Sequence, residues 1–375
     1  MKIDNKSTIV LILFSFLIIA AQLFRSLPAG MDPYYYLSLV GTPQPGMPPL
    51  FFFLAGLPTV LVAFLSTICI VFLTYKIFTQ LGAPNPLIPT LLVGAAPGLT
   101  FRMALFEDDL LGVPLGLAAI HLWLGGHKIW ALTLCAVSYF VAWRGTALFA
   151  MMLVISWIAE KSKWWWINIP MLGLYFQPNN LVGEEQLGIP FLPIVLMGTL
   201  LGFAAWKKVP TFVQVWAFFF LGLGILNAKW LWLAAFPLAF MLYKLYWDQN
   251  KEKLYGFVIF AVGVGLFCGS MLVVSSEPTA QQFADIQEMK LYIGEEAFDN
   301  SWHFGHWFNY NGMNPINTNL HPTVQYGMIP PTDWNTTWAV YHNCTEGVYG
   351  YEMVKNFTWA CLYRLSVQQS SDVLQ

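Results

Sequence analysis

Charge is what this sequence has least of. Charged residues make up 10% of its 375 residues, where a soluble globular domain carries about a quarter. That scarcity excludes a soluble chain of ordinary composition. Arginine occurs four times, as Arg25, Arg102, Arg144 and Arg364. The net charge is −2 and there is no basic stripe, so nucleic acid is excluded as a partner. Cysteine is sparse as well: there are five, and none shows the paired spacing of a zinc site. Cys69, Cys135 and Cys268 fall inside apolar runs and are expected as core thiols. Cys344 and Cys361 fall in the polar C-terminal part, where a disulfide can form.

Hydrophobic residues fill the chain instead, at 57%, with a mean hydropathy of +0.57. Apolar runs recur almost from the N-terminus to about residue 274. They are near the ~20 residues that an α-helix needs to cross the hydrocarbon. The runs are Ser7–Phe24, Leu57–Phe78, Leu87–Phe101, Leu110–Leu124, Ile129–Trp143, Thr146–Ala159, Trp164–Phe176, Ile189–Trp206, Phe212–Leu226, Leu231–Tyr246 and Leu254–Val274. Those at Ile129, Thr146 and Trp164 are short. The expected fold is an all-α polytopic membrane bundle of about eleven spans, residues 1–274. A small mixed extracytoplasmic domain follows, residues 275–375.

Basic residues set the orientation. With the N-terminus in the cytoplasm, eleven of the fourteen lysines lie in inner loops and all four arginines lie outside. The odd number of spans then puts the C-terminal domain outside. The first run follows Lys2 and Lys6 as a signal peptide would, but its 18 residues suit an uncleaved anchor better. The external domain carries three N-glycosylation patterns, at Asn335, Asn343 and Asn356. The cell membrane is the expected location, with the endoplasmic reticulum as the alternative.

Polar chemistry gathers on the outer side. Asp32 follows the first span, and Pro33 biases it towards extended backbone; a bland reading makes it a helix cap. Glu107, Asp108 and Asp109 stand at the mouth of a span with Arg102 close by. A helix dipole favours acids there, yet three adjacent anions repel, and a hard divalent cation such as Mg²⁺ or Mn²⁺ would relieve them. Arg144, beside Trp143, reads either as an interface anchor or as a phosphate fork. Further on come Phe176-Gln177-Pro178, Glu184 and Glu277, then Ser301-Trp302-His303-Phe304-Gly305-His306. The aromatic density around Trp302 suits either a small core or a platform for peptide or sugar.

In this order the landmarks resemble the catalytic subunit of oligosaccharyltransferase, a membrane glycosyltransferase of the type-C fold. Gly30-Met31-Asp32-Pro33 matches the family's first-loop motif, and Glu107-Asp108-Asp109 its acid-x-acid motif. Trp143-Arg144-Gly145 is similar to its Trp-Gly-Gly element. The signature Trp-Trp-Asp-Tyr-Gly falls on Ser301–Gly305, with Ser301 for the first tryptophan and His303 for the aspartate.

The resemblance implies transfer of a glycan from a polyprenyl-linked phosphate or pyrophosphate to protein asparagine. It implies Mn²⁺ or Mg²⁺ held by Asp32, Glu107 and Asp109, with Glu277 in the place of the family's fifth-loop acid. It sets Arg102 and Arg144 on the donor phosphate, and Trp302, His303, Phe304, Gly305 and His306 on the acceptor polypeptide. The expected partners are the lipid-linked donor, the acceptor polypeptide and the bilayer, with partner subunits left open. Two other readings stand beside it: a type-C glycosyltransferase with a lipid, glycan or hydroxyl acceptor, and an inactive membrane subunit or transporter. Ionisable groups are nearly absent from the span centres, which counts against transport.

Overall fold

The computed structural model describes residues 3–25, 34, 37, 57–105, 109–161, 192–226, 228–247, 249–300, 304–316, 336–342 and 351–366. Asp32, Glu107, Trp302, His303 and the expected span Trp164–Phe176 lie outside the described residues. The chain divides into two compact units, residues 1–25 with 43–274 and residues 26–42 with 275–375.

The first unit is helical. Its helices are α1 (Asn5–Leu23), α2 (Thr59–Gln80), α3 (Leu87–Gly94), α4 (Pro97–Ala104), α5 (Asp109–Leu124), α6 (Lys128–Ser138), α7 (Trp143–Lys161), α8 (Leu192–Ala205), α9 (Thr211–Leu226), α10 (Ala235–Trp247) and α11 (Lys251–Ser275). Among the described residues, three helical stretches are long and apolar enough to cross a membrane: α1, α2 and the one opening at Lys251.

Eleven full crossings are not shown among the described residues. The run expected at Leu87–Phe101 breaks at Ala95-Ala96, and Pro97 opens a fresh helix because it has no N–H to continue the old one. The two eight-residue pieces rise about 12 Å each and the eleven-residue α6 about 16 Å. None reaches the ~30 Å of hydrocarbon. Hydropathy counts apolar residues, whereas crossing depends on unbroken rise. Cys135 is buried as expected, but Cys69 and Cys268 are exposed on their helices rather than in the core.

One face of this unit is laced by polar contacts between helix ends. Gln80, closing α2, bonds the carbonyl and Nδ1 of His121 near the end of α5, at 3.2 and 2.8 Å. Lys128, opening α6, pairs with Glu160 at the end of α7, 2.8 Å apart. Lys244 on α10 donates to the Gly82 carbonyl at 2.9 Å, and the Asn85 N–H donates to the Tyr243 hydroxyl at 2.9 Å. Four lysines of this face lie over aromatic rings: Lys128 over Trp123, Lys161 over Trp157, Lys244 over Phe240 and Lys251 over Trp247. In each pair the ammonium itself lies over the ring face, where the ring quadrupole attracts it.

α11 runs from this lysine face to the opposite end. Its buried stripe is Leu254, Val258, Gly265, Gly269 and Val273, and much of the rest is apolar and exposed, as on a lipid-facing helix. The stripe seats on the α3–α4 break. A Cβ at Gly265 would stand 1.7 Å from the Ala95 carbonyl oxygen, and one at Gly269 2.7 Å from the Thr100 Cβ. Small residues four apart allow this approach. Where α11 ends, Arg25 donates from Nη1 to the Val273 carbonyl at 2.7 Å, satisfying one of the acceptors that a helix C-terminus leaves open. The first and last helices of the unit therefore end together.

The second unit packs α12 (Ala280–Ile293) and α13 (Gly305–Tyr310) with a five-stranded sheet. The strands are β1 (Ala297–Asn300), β2 (Asn314–Pro315), β3 (Trp338–His342), β4 (Tyr351–Asn356) and β5 (Ala360–Leu365), in the order β2-β1-β3-β5-β4. β1 is parallel to β2 and β3, and β3, β5 and β4 are antiparallel. Thr279 and Gln282 form a reciprocal capping box that starts α12, and Gly294 at φ 67° ends it. Ile286, Met289 and Ile293, at helical spacing, face a core of Phe298, Trp307, Phe308, Val340 and Leu362. The alternate strand residues Ala339, Cys361 and Tyr363 are buried in a second cluster. Cys361 is disulfide-bonded; Cys344, the expected partner, lies outside the described residues.

Candidate functional site

Four polar positions stand at the end of the helical unit opposite the lysines. Arg25 follows α1, Arg102 lies in the last turn of α4, and Asp109 and Arg144 stand in the first turns of α5 and α7. Glycines bring the last two helices together. A Cβ at Gly112 would lie 2.7 Å from the Ala142 Cβ, and one at Gly116 2.1 Å from the Phe149 ring. Asp109 is three residues before Gly112, about 4.5 Å of helix, and Arg144 is two residues after Ala142. The two helix starts thus carry an acid and an arginine at one end of one pair. Arg102 sits where a cation favours the α4 C-terminus.

Asp32 and Glu107 lie outside the described residues, and Asp109 and Arg144 are placed by their backbones alone. Among the described residues, no three His, Cys, Asp or Glu side chains gather as a metal-binding group.

Glu277 belongs to the second unit. Its carboxylate accepts from Gln282 Nε2 at 2.9 Å, so it is engaged at the N-terminus of α12, where the dipole also favours an anion. Phe304 is buried against Trp307 and Trp359, at ring separations of 5.0 and 4.8 Å. Gly305 is buried where α13 begins. His306 is half-buried, and burial lowers its imidazole to about 4, which leaves it neutral at pH 7. Trp302 and His303 lie outside the described residues.

Two features escaped the sequence reading. Tyr34, two residues after Asp32, is fully buried in the core of the second unit, against Phe283 at 5.3 Å and Tyr310 at 5.2 Å. The segment after α1 therefore groups with the C-terminal part of the chain rather than with the helices that flank it. Asp299 is a buried carboxylate on β1 that accepts from the Tyr341 hydroxyl and from the Asn300 N–H at 2.9 Å. Burial first, and then the Asp299 charge, hold the Tyr341 hydroxyl far above the usual phenol range. The sequence carried no signal for it, since the alternation in Phe298-Asp299 reads as apolar-in and polar-out, whereas this strand is buried on both faces.

No protein-family model matches this chain, and no curated protein is similar to it at a significant level.

Proposed function

We propose that this chain is a membrane glycosyltransferase that moves a glycan from a polyprenyl-linked phosphate or pyrophosphate to an asparagine amide, in the manner of the oligosaccharyltransferase it resembles. One observation supports the reading most. The acid of the second outer loop, Asp109, and the arginine of the third, Arg144, start neighbouring helices at the end opposite the lysines. In this reading the lysine face is cytoplasmic and the second unit is extracytoplasmic.

The proposed chemistry follows from residue types. Asp32, Glu107 and Asp109 would hold Mn²⁺ or Mg²⁺, which supplies charge neutralisation at the departing phosphate. Arg102 and Arg144 would grip phosphate oxygens, a task that the guanidinium fork performs in a bidentate way. Asp32 would accept hydrogen bonds from the acceptor amide, whose nitrogen bonds to the anomeric carbon as the bond to phosphate oxygen breaks. Trp302, His303 and His306 would contact the acceptor, whereas Phe304 and Gly305 are buried in the core of the second unit. Glu277, engaged with Gln282, is assigned to the helix cap.

A second reading keeps the fold and changes the acceptor to a lipid, glycan or hydroxyl group. His303 in place of the signature aspartate favours it, as does the burial of Phe304 and Gly305. The test is an incubation of membranes holding the full chain with a polyprenyl-linked glycan and an Asn-x-Thr peptide, with and without Mn²⁺. The expected result is metal-dependent transfer that Asp109→Asn and Arg144→Ala each reduce at least tenfold. Transfer undiminished in Asp32→Ala refutes the role of that residue. Transfer to lipid or hydroxyl acceptors alone selects the second reading, and no transfer to any acceptor leaves an inactive subunit.

A further inference from the structure

The hairpin between β4 and β5 carries Asn356-Phe357-Thr358-Trp359, and its burial alternates. Asn356 and Thr358 are exposed, while Phe357 and Trp359 belong to the core of the second unit. The turn is held from inside. The Phe357 N–H donates to the Ala360 carbonyl at 2.8 Å, and Trp359 Nε1 donates to Asp285 Oδ2 at 2.9 Å. Lys355 lies 5.0 Å over the Phe357 ring and pairs with Glu288 on α12. Asn356 and Thr358, the residues at positions one and three of a glycosylation acceptor, are thus exposed together at the hairpin tip. β4 is an edge strand, so a bulky group at its end displaces no neighbouring strand.

We propose that Asn356 is an N-glycan acceptor, and that its donor is a polyprenyl-pyrophosphate-linked oligosaccharide. In the transfer, the Asn356 amide nitrogen forms a bond to the anomeric carbon of the first sugar and gives up one proton to the departing pyrophosphate. The anomeric carbon–oxygen bond breaks, and the lipid pyrophosphate leaves with the electron pair. The inference concerns this chain as an acceptor and does not depend on what the chain itself catalyses. It does require the second unit to lie on the glycosylating side of the membrane.

The experiment uses the full chain with Asn5→Gln, Asn335→Gln and Asn343→Gln, so that one acceptor pattern remains. It is translated into microsomal membranes supplied with the polyprenyl-pyrophosphate oligosaccharide. The expected product is one slower-migrating species that peptide N-glycosidase collapses, leaving Asp at position 356 in the peptide mass spectrum. Asn356→Gln and Thr358→Ala abolish the species, while Thr358→Ser, which keeps the hydroxyl, retains it. Protease protection of the second unit is read on the same membranes. An unmodified Asn356 in a protected second unit overturns the site itself. An unmodified Asn356 in a second unit digested from outside overturns the sidedness on which the proposal stands. A species that persists in Thr358→Ala also overturns it.

Discussion

Gly265 lies so near Ala95 that a methyl group on its Cα would stand 1.7 Å from the Ala95 carbonyl oxygen. The contact joins α11 to the break between α3 and α4, and its neighbour is backbone, which cannot swing away. Gly265→Ala is expected to destabilise the helical unit by at least about 2 kcal/mol, because overpacking forces a backbone shift. Gly263→Ala is the control, since nothing lies within 4 Å of its added Cβ. Thermal unfolding in detergent compares the two. Equal melting of both variants would remove the close approach from the account.

Arg25 fastens the same helix about two turns further on, at its C-terminus, through the Val273 carbonyl. Arg25→Ala is expected to cost about 1.5–3 kcal/mol, the scale of a hydrogen bond made by a charged donor. Arg25→Lys keeps the charge but loses the fork and falls between. Hydrogen exchange across residues 270–276 reports the fraying of the last turn, and it should rise in the order wild type, lysine, alanine.

His306 gives the second unit a pH dependence of definite sign. Its imidazole is lowered by burial to about 4, against 6.5 for a solvated imidazole. Between those values the unfolded chain binds the proton and the folded one does not, so stability rises with pH across that window. It is full above about 6.5, falls as the pH drops, and levels off below about 4. The total is up to about 3 kcal/mol. Denaturant unfolding followed by tryptophan fluorescence at a series of pH values checks this, and His306→Gln should flatten the slope between pH 4 and 6.5.

Tyr341 donates to a buried carboxylate, Asp299. Tyr341→Phe removes the donor and leaves the charge, at an expected cost of about 1–3 kcal/mol. In the double variant Asp299→Asn with Tyr341→Phe the loss should be smaller than the two single losses added, as for any pair in contact. Additive losses in the unfolding measurement would show that the two side chains are not coupled.

The ends of the long helices were legible in the sequence. Ser7–Phe24, Leu57–Phe78 and Leu254–Val274 differ from α1, α2 and α11 by a few residues, since long apolar runs bounded by polar residues leave little choice. The run at Leu87–Phe101 misled, because Pro97 divides it while every residue around the break is small or apolar. The placement of Asp109 and Arg144 at one end of adjacent helices was legible from the alternation of loops. Asp299 was not, because an acid in a polar tail reads as solvated until β3 brings Tyr341 across to it. Tyr34 was hidden for a different reason: sequence order puts it among the helices, and only packing against Phe283 and Tyr310 moves it to the second unit.

The fastening of Arg25 to Val273 sets an order of assembly. Residue 25 enters the bilayer early and its acceptor arrives some 248 positions later, the separation of the two residues along the chain. Until α11 is in place, the break at Ala95–Thr100 lacks the glycine stripe that covers it. A chain stopped before Lys251 would lack both that cover and the carbonyl of residue 273.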